Sequence, residues 1–90
     1  MQIITLDGRR MTDRRQTHRY LAMALRFPVY YGRNLDALAD CLGEFCGNAI
    51  LVLRNAEAMR QSLGEYGDRL IGVFSDVAKT SGLRFFIDPD

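Results

Sequence analysis

Three carboxylates, Asp36, Asp40 and Glu44, recur every fourth residue in a stretch otherwise made mainly of leucine, alanine and cysteine. On a helix over residues 34–45 that spacing puts Leu35, Leu38, Leu42 and Phe45 in one sector and the three acids in the sector opposite. Acids four residues apart repel one another by roughly 0.2–0.5 kcal/mol per pair, and no lysine or arginine stands among them to offset this. The helix dipole favours Asp36 in the first turn, gives nothing to Asp40 and opposes Glu44 near the C-terminal end. A plain solvated face is the usual account of such a stripe, yet stability explains only one of the three acids. Ala37 and Ala39 beside it shield nothing. Phosphate sites are built from arginine, lysine and helix N-termini, so two rigid carboxylates one turn apart can fill such a site in place of a nucleic-acid backbone.

Other residues able to do chemistry are less well supported. His18 lies on the apolar stripe of a helical segment with Leu21, Ala22 and Leu25, which predicts a packed histidine rather than a catalytic one. Cys41, Cys46 and the lone histidine fall short of a structural zinc set, so no metal or other cofactor is expected. Tyr31 is expected to wedge its loop against the sheet, while Tyr30 is free to face a partner. Gly32 has no phosphate-cradling pattern around it, and its expected role is a positive φ in the loop. No motif assembles nucleophile, base and oxyanion donors, which argues against an enzyme.

The elements that must carry these residues follow from the pattern. Residues 1–6 read as a strand ended by Asp7-Gly8. Thr12-Asp13 with Gln16 opens a helix that ends near Arg26, and Pro28 and Gly32 make the next residues a structured loop. Asn34 caps the acidic helix, which ends at Gly47-Asn48. Residues 49–53 lack polar alternation and read as a strand covered on both faces or central in a parallel sheet. Asn55 caps a short helix to Leu63, a longer one over residues 66–81 buries Leu70, Val73, Phe74 and Val77 with Gly82 as its C-cap, and residues 83–88 form a last strand. Each strand is thus returned to through helices. The expected fold is α/β, a three-stranded parallel sheet with about four helices, in a single domain of 90 residues.

Composition narrows the function class. With 48% hydrophobic and 26% charged residues the chain has the make-up of a packed globular protein. Neither a leader nor a membrane span is visible, and two cysteines without a secretory segment favour reduced thiols in the cytoplasm. The net charge of +1 hides a segregation. Residues 9–33 hold Arg9, Arg10, Arg14, Arg15, Arg19, Arg26 and Arg33 against Asp13 alone, whereas residues 34–53 hold only acids. Such a distribution produces a directional field.

The run from Phe27-Pro28-Val29-Tyr30-Tyr31-Gly32-Arg33-Asn34 through Leu35-Asp36-Ala37-Leu38-Ala39-Asp40-Cys41-Leu42 resembles the barstar family's Pro-x-Tyr-Tyr-Gly-x-Asn-Leu-Asp-Ala-Leu-x-Asp-Cys-Leu. His18, and Val73-Phe74 followed by Asp76, extend the likeness more weakly over almost the whole chain. The resemblance implies a barstar-like fold and a non-enzymatic inhibitor of a small microbial guanyl-specific ribonuclease of the barnase type. Its acidic helix and the loop before it would enter the enzyme's basic active site. Carried over, Tyr30 packs on the catalytic region, Asn34 adds polar contacts, Asp36 and Asp40 meet arginines with Asp40 as main anchor, and Asp76 stands for a family glutamate at the rim. Ala39 and Phe45 take positions of tryptophans, Arg33 replaces an acid, and Glu44 completes the partner-facing set. The implied partner is an extracellular-type ribonuclease or a nuclease toxin, bound one to one, with no direct contact to nucleic acid or membrane. The alternative is a nucleic-acid-binding module that uses Arg14, Arg15 and Arg19 of the first helix.

Overall fold

The computed structural model describes residues 2–44 and 49–89. Strand β1 (Gln2–Asp7) is followed by a 3-10 turn (Gly8–Arg10), helices α1 (Arg14–Leu25) and α2 (Leu35–Gly43), strand β2 (Ala49–Arg54), helices α3 (Ala56–Leu63) and α4 (Glu65–Thr80), and strand β3 (Arg84–Ile87). The sheet order is β1-β2-β3 and both pairings are parallel, as α/β alternation requires.

In register, Ile4, Leu51 and Phe85 form one row and Leu6, Leu53 and Ile87 the next on the same face. Leu6, Leu51 and Leu53 are fully buried there together with Leu21, Leu38, Leu42, Met59, Leu70 and Phe74 from the helices. Each such side chain contributes about 1.5–3 kcal/mol on burial. Phe74 stacks on Phe85 at 5.1 Å between ring centroids, fixing α4 to the edge strand.

The other face of the sheet decides between the two readings of β2. Strand β2 is central, but it is not covered on both sides: Ile50 and Val52 are only half-buried, and their row neighbours Ile3 and Phe86 are exposed.

Several helix ends also differ from the pattern-based expectation. Asp13 caps α1 as expected, its side chain accepting the Gln16 N–H at 2.7 Å. Asn55 precedes α3 but does not cap it: its backbone is left-handed, and its Nδ2 donates to Asp7 Oδ1 at 2.9 Å. Asp7 also accepts from the Arg9 backbone N–H and pairs with the Arg9 guanidinium, which holds its carboxyl down at about 2. These contacts join the end of β1 to the start of α3, and Gly8 is required between them because a Cβ there would lie 2.3 Å from the Asn55 carbonyl oxygen. Helix α4 is capped by Ser81, whose hydroxyl donates to the Val77 carbonyl at 2.8 Å, and not by Gly82. Of its expected core residues, Leu70 and Phe74 are buried while Val73 and Val77 are half-buried.

Candidate functional site

Helix α2 is held so that its two faces meet different media. Leu38 and Leu42 are buried, Leu35 is half-buried, and α2 packs against α4. Asn34 takes an extended backbone and its Oδ1 accepts the Ala37 N–H at 2.7 Å, while its Nδ2 donates to the Gly32 carbonyl at 3.3 Å. The side chain expected to meet a partner is therefore first of all a structural clamp between loop and helix. One N–H and one lone pair remain on it for other contacts. The helix ends earlier than expected, at Gly43 with Glu44 as C-cap, and Phe45 lies outside the described residues.

Asp36, Asp40 and Glu44 are all exposed, with Ala39 half-buried beside them. Along the axis, Asp36 and Asp40 are separated by about 6 Å. Among the described residues neither Asp36 nor Asp40 has a cationic nitrogen within 4.0 Å. The chain's own arginines do not quench these two acids. Asp76, by contrast, is loosely paired with Lys79 at 3.9 Å on an exposed turn of α4.

The preceding loop is fixed from beneath. Tyr31 is buried and its hydroxyl hydrogen-bonds His18 Nδ1 at 2.6 Å, while His18 Nε2 meets the Tyr66 hydroxyl at 2.6 Å. A neutral imidazole donates at one nitrogen and accepts at the other, so one tyrosine donates and the other accepts. His18 is 2% exposed, and this burial lowers its pKa. Burial likewise raises the pKa of both tyrosine hydroxyls. The histidine is thus a packed one, as its helical position implied, and it ties α1, the loop and α4 together. Tyr31 anchors the loop through contacts to helix α1 and to Phe27, with the Phe27 ring at 4.8 Å and His18 of α1 as its hydrogen-bond partner. Tyr30 next to it is 80% exposed. Gly32 does not carry the positive φ; Arg33 does, at 57°, and a Cβ at Gly32 would lie 3.1 Å from the Ala37 Cβ and 3.4 Å from Asn34 Nδ2.

The family described as Barstar (barnase inhibitor) matches residues 1–88.

The chain belongs to the barstar family. It is also similar to the Bacillus subtilis (strain 168) protein named "Putative ribonuclease inhibitor YrdF", with 42% identity over 77 residues, 84% of this chain and 85% of that one. Barstar-family proteins act as inhibitors rather than enzymes, through protein-protein contact, and the general partner is a ribonuclease of the barnase kind. The three-stranded parallel sheet and four helices agree with that membership.

One surface beside α2 is not legible in the sequence. Arg14 and Arg15 of α1, Arg33 of the loop and Arg69 of α4 line an open cleft of about 660 Å³ with Tyr66, and its wall continues into Asn34, Leu35 and Asp36. The Arg14 guanidinium lies over the Tyr66 ring, 4.3 Å from its centroid. Charge counting along the chain picks out Arg14, Arg15 and Arg33, but Arg69 joins them only through the packing of α1, α2 and α4. Arg19 points elsewhere, into a smaller cleft with Arg10, Gln16, Tyr20 and Met23. The basic segment is therefore split over two surfaces. Cys41 is a free, half-buried thiol whose pKa is raised by burial and by Glu44 and Asp40; Cys46 is outside the described residues. Among the described residues no group of His, Cys, Asp and Glu could hold a metal, and no helix is long and apolar enough to cross a membrane.

Proposed function

We propose that this barstar-family protein inhibits a small guanyl-specific microbial ribonuclease by seating α2 and the loop before it in the enzyme's cationic cleft. Asp36 and Asp40 occupy the positions of RNA phosphates, Asp40 as the main anchor. Tyr30 covers the catalytic region, and Asn34, Ala39, Glu44 and Phe45 border the contact, with Asp76 as a rim charge. The observation that carries this reading is the pair of exposed acids one turn apart, without an ion-pair partner among the described residues and held on a capped helix.

Preorganisation supports it. The loop is fixed through Tyr31 and the helix start through Asn34, so little conformational entropy is lost when the surface docks. Opposite fields on inhibitor and enzyme speed the encounter, and added salt slows it by screening. The complex is one to one, the target is an enzyme made for secretion or delivered as a nuclease toxin, and the inhibitor acts in the cytoplasm.

Barnase is the direct probe. Inhibition of RNA cleavage by the wild type, and its loss in Asp40→Ala with the melting temperature kept, is the expected result. An unchanged inhibition constant for Asp40→Ala would discard the phosphate-mimic mechanism.

A further inference from the structure

The acidic ridge of α2 does not stand alone. The cleft of Arg14, Arg15, Arg33 and Arg69 shares Asn34, Leu35 and Asp36 with the start of that helix, so a protein that covers Asp36 also meets the cleft. All four arginines are exposed, and among the described residues none has a carboxylate oxygen within 4.0 Å, Asp36 included. Four cations against one acid leave the cleft strongly positive, directly beside a surface whose task is to meet cations.

We infer that this cleft is the specificity-determining half of the docking surface and receives a carboxylate-bearing segment at the rim of the target ribonuclease, next to its cationic active site. The inference rests on the inhibitor reading. Two features of the cleft support it. A uniformly cationic enzyme placed over α2 would press positive charge onto four unpaired guanidiniums, and like charges brought together at an interface are a strong bar to binding. Guanidinium groups also pair bidentately with carboxylates, a geometry that selects position as well as sign. Phosphate would satisfy the same groups, and nucleic acid is the competing occupant. The cleft fits it less well because Asp36 lies in its wall and two arginines of the basic segment, Arg10 and Arg19, line a different cleft.

The test uses the full chain, Arg15→Glu/Arg69→Glu and Asp40→Ala against a panel of small basic guanyl-specific ribonucleases that includes barnase. Arg14 is left in place because it lies over Tyr66, and thermal melts verify that each variant folds. For the enzyme bound most tightly by the wild type, the double reversal is expected to weaken inhibition about tenfold. Reversing rim carboxylates of that enzyme to lysine should restore it. If Asp40→Ala weakens inhibition and the double reversal leaves it unchanged or tighter for every enzyme in the panel, the cleft proposal is wrong and the inhibitor reading stands. If Asp40→Ala changes nothing, or no enzyme is inhibited, the inhibitor reading itself fails and takes the cleft with it. Tight binding of a single-stranded RNA oligonucleotide that the double reversal abolishes would overturn the proposal in favour of nucleic acid.

Discussion

Two polar clusters lie one residue apart in the sequence at Tyr30 and Tyr31, and they are built on opposite terms. Beneath the loop, His18, Tyr31 and Tyr66 are buried and every ring nitrogen and hydroxyl has a partner. Above it, Tyr30, Asp36 and Asp40 are exposed and the two carboxylates have no cation within ion-pair distance among the described residues. Polar groups that hold a fold must satisfy one another, because an unmet donor or acceptor inside costs free energy. Polar groups that a rigid element holds exposed and unmet keep their capacity to bind, and in the proposed function that capacity serves the ribonuclease.

The contrast predicts a double dissociation. Asp40→Ala should cost the complex with its ribonuclease about 3–5 kcal/mol, because it strands a cation of the enzyme, while folding free energy changes by no more than about 0.5 kcal/mol. Inhibition constants and urea melts measured on the same variant decide it; equal losses in both would erase the distinction. His18→Leu should do the reverse. It strands two buried hydroxyls at about 1–3 kcal/mol each, and any variant protein that remains folded should keep most of its affinity.

A pH titration sharpens the same division. The folded-state pKa of His18 lies below its ordinary value near 6.5, so the unfolded chain binds its proton first. Stability is then fully present above about pH 6.5 and falls as the pH drops below it, until the folded-state value is passed. His18→Gln should flatten that part of the curve in urea melts. Further loss below about pH 4 belongs to Asp7, whose carboxyl is held at about 2, and it should persist in the His18 variant. The smallest effect is expected at Arg26, which takes φ 56° at the end of α1. Arg26→Gly should stabilise by less than about 1 kcal/mol, the left-handed strain relieved being partly offset by glycine's extra unfolded-state entropy. A urea midpoint that falls would show the arginine side chain holding the loop in some other way.

Much of this was legible residue by residue. The Asp13 cap, the amphipathic face of α2 and the apolar run of β2 each depend on neighbours within a few positions, and each appears where the pattern put it. Failures fell where a residue's role depends on something distant. Asn55 resembles a helix cap, but the end of β1 claims its side chain for Asp7. Gly32 looks like the residue for a positive φ, yet the close approach of Ala37 uses its missing Cβ and the positive φ falls on Arg33. Continuous hydrophobicity in β2 marks a central strand without telling how much of each sheet face is covered.

The order of strands and helices, the acid stripe and the apolar stripe opposite it follow from the residues alone, since both periodicities are local properties of a chain with fixed backbone geometry. The inward facing of His18 follows from the same periodicity. Packing in three dimensions was needed to join Tyr31 through His18 to Tyr66, 48 residues from the histidine, and to bring Arg69 beside Asp36 with Arg14, Arg15 and Arg33. Which charges become neighbours across helices is set by how three helices pack on one sheet face, and the energy that chooses this packing comes from buried leucines and Phe74, not from the charges themselves.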